Sequence, residues 1–110
     1  MVRIIGFDIS SQTIGWGVID ASASHISIVD SGYHKPLKSK FSISKRLSGV
    51  YDWISEMCAK YDVDEVAIED ILKHMKGGST AGTIIALASF NRVSLVAASK
   101  YLKNKSEPFH

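Results

Sequence analysis

The chain has 110 residues, 45% of them hydrophobic and 22% charged, a composition that supports one compact domain and excludes an intrinsically disordered chain. A net charge of +2 and a single cysteine, Cys58, leave no internal disulfide and no cysteine-rich zinc site, which fits a reducing, cytoplasmic setting. No apolar run approaches the ~18 residues of a membrane span, and the opening MVRIIGFDIS lacks the regions of a signal peptide. Val2 to Ile9 reads as a buried strand, and Ser10 to Thr13 as a turn. Ile14 to Asp20 reads as a second strand folded back on the first, and His25 to Tyr33 as a third. A basic loop with Pro36 follows, and Ser42 or Ser44 can cap a helix. Leu47, Val50, Tyr51, Ile54, Met57, Cys58 and Tyr61 recur at three- and four-residue spacing, which predicts an amphipathic helix. Val63 to Ile68 reads as a short fourth strand, Lys76 to Thr80 as a loop, and Ser79 or Thr80 opens a second helix to about Leu102. That helix is apolar on most sides, so it is buried or paired with a partner; Val93 to Ala98 alone also fits a strand.

Three strands, a helix, a strand and a helix imply an α/β domain with a mixed sheet. The three-strand meander and helical crossover place the fourth strand parallel to the first and beside it. Two acid-free stretches, residues 31–51 and 71–106, carry most of the lysines and arginines. Either can present a face to a phosphate backbone, and either can equally be a solvated lysine surface.

Asp8 ends the first strand and Glu69 ends the fourth, each after an apolar run. Ligands of open α/β sheets bind beyond the carboxyl ends of the strands. Adjacent strands lie ~4.8 Å apart, so these two carboxylates can share a site, and close carboxylates repel unless a cation lies between them. Oxygen-only ligands suit Mg²⁺ or Mn²⁺. The competing reading has Asp8 bonding the backbone amides of the Ser10–Thr13 turn while Glu69 merely ends a strand in solvent. Asp70 is a weaker candidate, since its side chain points away from that of Glu69 if the strand pleat continues.

IIGFDISSQTIGWGVID resembles the first motif of RuvC-type nucleases, and VDEVAIED resembles their second. The small-residue helix through ALASFNRVSLVAASKYL is similar to the family's dimer helix, so the resemblance covers nearly the whole chain. The first motif is also similar to the opening nuclease segment of CRISPR effectors, but the compact spacing here favours the stand-alone Holliday-junction resolvases, including phage-type members. The resemblance implies a ribonuclease H-like fold and a Mg²⁺- or Mn²⁺-dependent endonuclease that resolves branched DNA. Asp8 and Glu69 would be its metal ligands, with water attacking a backbone phosphate. It also implies a homodimer, because two symmetric strands need two symmetric cuts, with Ala81, Gly82, Ala86, Ala88 and Ser89 at the interface. Ser10, Ser11, Lys73, Lys76 and Arg92 are the candidate DNA contacts.

Two departures stand out. Ser10 occupies a position that is often glycine in the family. The family's fifth strand and last acidic helix would fall beyond His110, so residues 1–110 are expected to form a single ribonuclease H-like domain truncated at its C-terminus, and Val66–Ile68 to lie near an exposed edge. A catalytically incomplete DNA-binding relative is the second reading, and an actin- or sugar-kinase-like nucleotide-binding domain the third. The KGGST segment lacks the G-x-x-x-x-G-K-[ST] pattern of a phosphate loop. His25, His34, His74 and His110 show no metal spacing and read as surface residues. Trp16 reads as core, Trp53 as partly exposed, and Phe90 as core in preference to a base wedge.

Overall fold

The computed structural model describes residues 1–69 and 81–107, with the backbone alone for 81–84. Its elements run β1 (Val2–Asp8), β2 (Ile14–Ala21), β3 (Ile26–His34), α1 (Ile43–Tyr61), β4 (Glu65–Ile68) and α2 (Ala81–Ser106). The sheet order is β3-β2-β1-β4. β1 is antiparallel to β2 and parallel to β4, with Phe7 opposite Trp16 on one side and Ile68 on the other. The expected meander, crossover and parallel pairing are all present.

Alternation along β1 decides which face is which. Ile5 and Phe7 are buried toward the helices, while Ile4, Gly6 and Asp8 turn to the opposite face. Paired residues share a face, so Ile14 and Val18 of β2 join the core, and Gly15, Gly17, Ala67 and Glu69 fall on the face of Asp8. From α1, the core takes Val50, Ile54, Met57, Cys58 and Tyr61; from α2 it takes Phe90, Ala97 and Ala98. This assigns Phe90 to the core. Trp16 and Trp53 are half-buried against it, and Trp53 meets Phe7 edge-on at 5.5 Å.

Ser42 caps α1, its side chain accepting from the Lys45 amide, and the helix closes at Asp62 in the left-handed conformation. The closure explains why β4 begins later than the apolar run suggests. Val63 is fully buried, but its amide donates to Cys58 O to finish the helix, and pairing with β1 starts only once the chain has turned. α2 is helical through 93–98 and runs past Leu102 to Ser106. Near its end, Lys105 Nζ donates to Asp62 O and Val63 O and pairs with Asp62 and Asp64. That clasp is a tertiary contact, which local propensity does not report.

His34 departs from the surface reading. It is half-buried and stacks on Trp53 at 4.1 Å with ring planes 7° apart. His25 is exposed as expected, while His74, His110, Asp70 and the KGGST segment lie outside the described residues.

Candidate active site

Asp8 and Glu69 stand one step beyond the last β1–β4 pair, Phe7 with Ile68, on the same face of the sheet. Both are exposed. Strand spacing holds their backbones about 5 Å apart. An open depression of about 750 Å³ lies over them, floored by Gly6, Gly15, Gly17 and Ala67. These small side chains leave the sheet backbone accessible. A Cβ built on Gly15 would lie 3.8 Å from Asp8 Cβ and 3.5 Å from the Tyr33 ring. Tyr33, on β3, therefore sits beside Asp8 across Gly15, and it is 83% exposed.

The turn after Asp8 closes without it. Ser10 Oγ accepts from the amides of Thr13 and Gln12, at 3.0 and 3.3 Å, and donates to Thr13 O. The hydroxyl does the capping that the alternative reading gave to Asp8. Among the described residues Asp8 makes no side-chain hydrogen bond or ion pair, so its carboxylate is not consumed by the fold. The family's glycine is also not required for the turn geometry, since Ser10 has no positive φ.

Other acids of the sheet behave differently. Arg3 pairs with Asp20 at 2.8 Å and holds its carboxyl below the usual carboxylate range. The Arg3 amide, and then Lys105, do the same for Asp64. Tyr61 hydroxyl donates to Asp30, lowering that carboxyl as well. Those acids stabilise the fold, which separates them from Asp8.

One positioning contact was not visible in the sequence. Asn91 is fully buried in α2, and its side-chain amide donates to Glu69 O at 2.9 Å. Its only sequence signal is an amide within the apolar stretch of the helix. Of the candidate DNA contacts, Ser10 and Ser11 lie on the turn beside Asp8. Arg92 is exposed on α2, with a donor to Asn91 Oδ1. Lys73 and Lys76 lie outside the described residues. Among the described residues no three histidine, cysteine, aspartate or glutamate side chains gather into one cluster, so Asp8 and Glu69 stand as a pair.

Residues 4–107 match the family model described as "Crossover junction endodeoxyribonuclease RuvC". The chain belongs to the RuvC family. It is 33% identical over 101 residues to the RuvC of Legionella pneumophila (strain Lens), covering 86% of this chain and 58% of that protein. It is 35% identical over 96 residues to the RuvC of Fusobacterium nucleatum, covering 87% of this chain and 48% of that protein. The chain thus spans about half the length of these RuvC relatives. In fold it is similar to Thermus thermophilus RuvC, solved in complex with a Holliday junction substrate, at a TM-score of 0.73 and 14% identity, over 92% of this chain and 60% of that one. A ribonuclease H-like fold follows. The described helices include none long and apolar enough to cross a membrane.

Proposed function

We propose that this chain carries the metal-binding half of a structure-specific DNA endonuclease that resolves branched DNA of the Holliday-junction type. The observation that carries the proposal is the placement of Asp8 and Glu69 side by side at the carboxyl ends of β1 and β4, on the open face of the sheet. RuvC-family nucleases use divalent metal ions. The donor set here fits such an ion: two exposed carboxylates, all oxygen, with room above them for water and a phosphate, the preference of Mg²⁺ or Mn²⁺. When bound, the ion would offset the repulsion of the two carboxylates, polarise the scissile phosphate and lower the pKa of an attacking water.

The protein's own part is positioning. Asp8 is aimed by the β1 pleat and left unspent by the turn, while Glu69 is aimed by β4, whose end is tied to α2 through Asn91. The small residues flooring the depression let a DNA strand approach the sheet closely. Ser10 and Ser11 sit where a backbone phosphate would pass, and Lys73, Lys76 and Arg92 would extend the contact. A homodimer would place two such sites on the two symmetric strands of a junction. The exposed Ile85 and Val96, with Ala86, Ala88 and Ser89, make α2 the face to test for it. Residues 1–110 would make up a single ribonuclease H-like nuclease domain, and cytoplasmic residence fits its single buried thiol.

With Asp8 and Glu69 as the two carboxylates the sheet brings together, a second reading is a DNA-binding relative of the same fold that does not cut. Incubating a labelled four-way junction with Mg²⁺ or Mn²⁺ separates the two. Metal-dependent nicking by the chain, lost in Asp8→Asn, supports the nuclease. Junction binding with no nicking at any metal concentration supports the second reading and sinks the first for this chain.

A further inference from the structure

Tyr33 is an aromatic residue on the open face that the carboxylate pair does not use. The register carries it there. Asp8 pairs with Gly15 on β2, and Gly15 pairs with Tyr33 on β3, so the three share one face of the sheet. We infer that Tyr33 is a stacking platform for an unpaired base close to the phosphate held at Asp8, and that it thereby selects branched DNA over continuous duplex. The inference rests on reading the open face as the one that meets DNA. It deepens that reading by naming a residue that determines substrate choice.

Three observations carry it. The first is how little of the ring the fold consumes. A Cβ on Gly15 would lie 3.5 and 3.7 Å from Tyr33 Cε1 and Cδ1, so one edge of the ring leans on the glycine. That contact sets the lean of the ring, yet Tyr33 remains the most exposed aromatic side chain among the described residues. Phe7, Trp16, Trp53, Tyr61 and Phe90 all lie in the core or packed against it. Among the described residues Tyr33 makes no side-chain hydrogen bond and no ring pair. Its ring is therefore available to a planar group.

The second is reach. Asp8 and Tyr33 stand on strands separated only by β2, which puts their backbones about 10 Å apart, two strand spacings. Nucleotides of one strand rise 3.4 Å each, so the base over Tyr33 belongs within about three nucleotides of the phosphate at Asp8. Gly15 and Gly17 floor the space between, and neither has a side chain to hold the strand away.

The third is what an aromatic ring recognises. Every base has a π-face, so stacking on a side chain is tolerant of sequence. It is not tolerant of structure. A base inside a duplex must first be unstacked and unpaired, a cost that is least for a base already free. A branch point supplies such bases, and a continuous duplex does not.

The test uses a four-way junction with 2-aminopurine, dark when stacked and bright when free, placed in turn at each of about three nucleotides on either side of the branch point. Titration in EDTA reads binding without cutting, and anisotropy of the same junction and of a continuous duplex gives the two affinities. Tyr33→Phe keeps the ring face and Tyr33→Leu removes it. At one position or more the probe should stay dark with wild type and Tyr33→Phe and turn bright with Tyr33→Leu. Tyr33→Leu should also lose about tenfold in junction affinity and keep its duplex affinity. Tyr33→Trp, with a wider face, should tighten junction binding alone, a gain that a damaged fold does not imitate. A probe no brighter with Tyr33→Leu at any position, or equal losses on junction and duplex, overturns the inference. So does Tyr33→Trp that binds the junction no better than wild type. Probe response without nicking in Mg²⁺ would sink the nuclease reading and leave Tyr33 its role, whereas nicking and junction preference unchanged in Tyr33→Leu would do the reverse.

Discussion

Asn91, at the middle of α2, donates its side-chain amide to the backbone carbonyl of Glu69, tying the second helix to the end of β4 at 2.9 Å. The bond satisfies a buried amide and fixes the point at which the strand delivers its carboxylate. Asn91→Ala removes the donor and leaves a void in a fully buried position, which should cost about 1–3 kcal/mol in urea unfolding. If the contact also positions Glu69, the Mn²⁺ concentration that half-saturates the protein should rise in the variant. A stability loss with unchanged Mn²⁺ affinity would reduce Asn91 to packing.

The carboxylate pair makes a thermodynamic prediction that needs no DNA. A cation held between Asp8 and Glu69 stabilises the folded chain by mass action, about 2.7 kcal/mol at a hundredfold excess over Kd. Mn²⁺ should therefore raise the melting temperature of the wild type and leave Asp8→Asn and Glu69→Gln unmoved. Without metal, Asp8→Asn should melt at or slightly above the wild type, because one of two like charges is gone. Equal Mn²⁺ shifts in all three proteins would remove the pair as the binding site.

Ser10 replaces geometry with chemistry at the turn. Its hydroxyl takes two amides and gives one bond back, the work a tight glycine turn would otherwise do by conformation. Ser10→Ala should lose about 1–2 kcal/mol, whereas Ser10→Thr, which keeps the oxygen, should recover most of it. Equal stability of Ser10→Ala and wild type in denaturant melts would contradict the role.

The face-to-face contact of His34 and Trp53 sets a pH dependence. Burial lowers the His34 pKa from its ordinary 6.5, so the unfolded chain binds a proton at a pH where the folded chain does not. The stability tied to the neutral ring is complete above about 6.5, falls as pH drops below it, and is gone once the pH passes below the folded value. The lowered carboxyls of Asp20, Asp30 and Asp64 act in a separate window, from their ordinary 3.8 downward. Urea midpoints followed by Trp fluorescence should drop between pH 7 and 5 in the wild type and change less in His34→Gln. Parallel pH profiles would assign the drop to other groups.

What the sequence could show depended on the range of the interaction. Alternation and three-to-four spacing are local, and they placed all six elements and the parallel partnership of β1 with β4. They also placed Asp8 and Glu69 at strand ends, because an apolar run that stops at an acid is readable along one line of residues. Contacts between distant segments were not readable. Asn91 bonds a residue 22 positions away, His34 meets Trp53 across the β3–α1 connection, and Lys105 clasps carbonyls some 40 residues earlier. Each looks ordinary in its own neighbourhood and acquires its role only when the chain closes.

Gly32 and Gly17 provide an internal comparison on the sheet. A Cβ on Gly32 would lie 2.9 Å from the Trp16 ring, so the indole must shift, and Trp16 is half-buried and packed on Tyr61 at 5.8 Å. Gly32→Ala should cost about 1–3 kcal/mol, the usual range for overpacking, and should change the near-ultraviolet signal of Trp16. At Gly17 a Cβ meets nothing within 4 Å. Gly17→Ala should be neutral or stabilising by up to about 1 kcal/mol, since it removes only chain entropy from the unfolded state. The new methyl would also stand on the floor of the depression above Asp8, so the same variant should weaken junction nicking without weakening the fold. A destabilised Gly17→Ala, or a Gly32→Ala as stable as wild type, would show that Trp16 does not hold the position that makes these glycines differ.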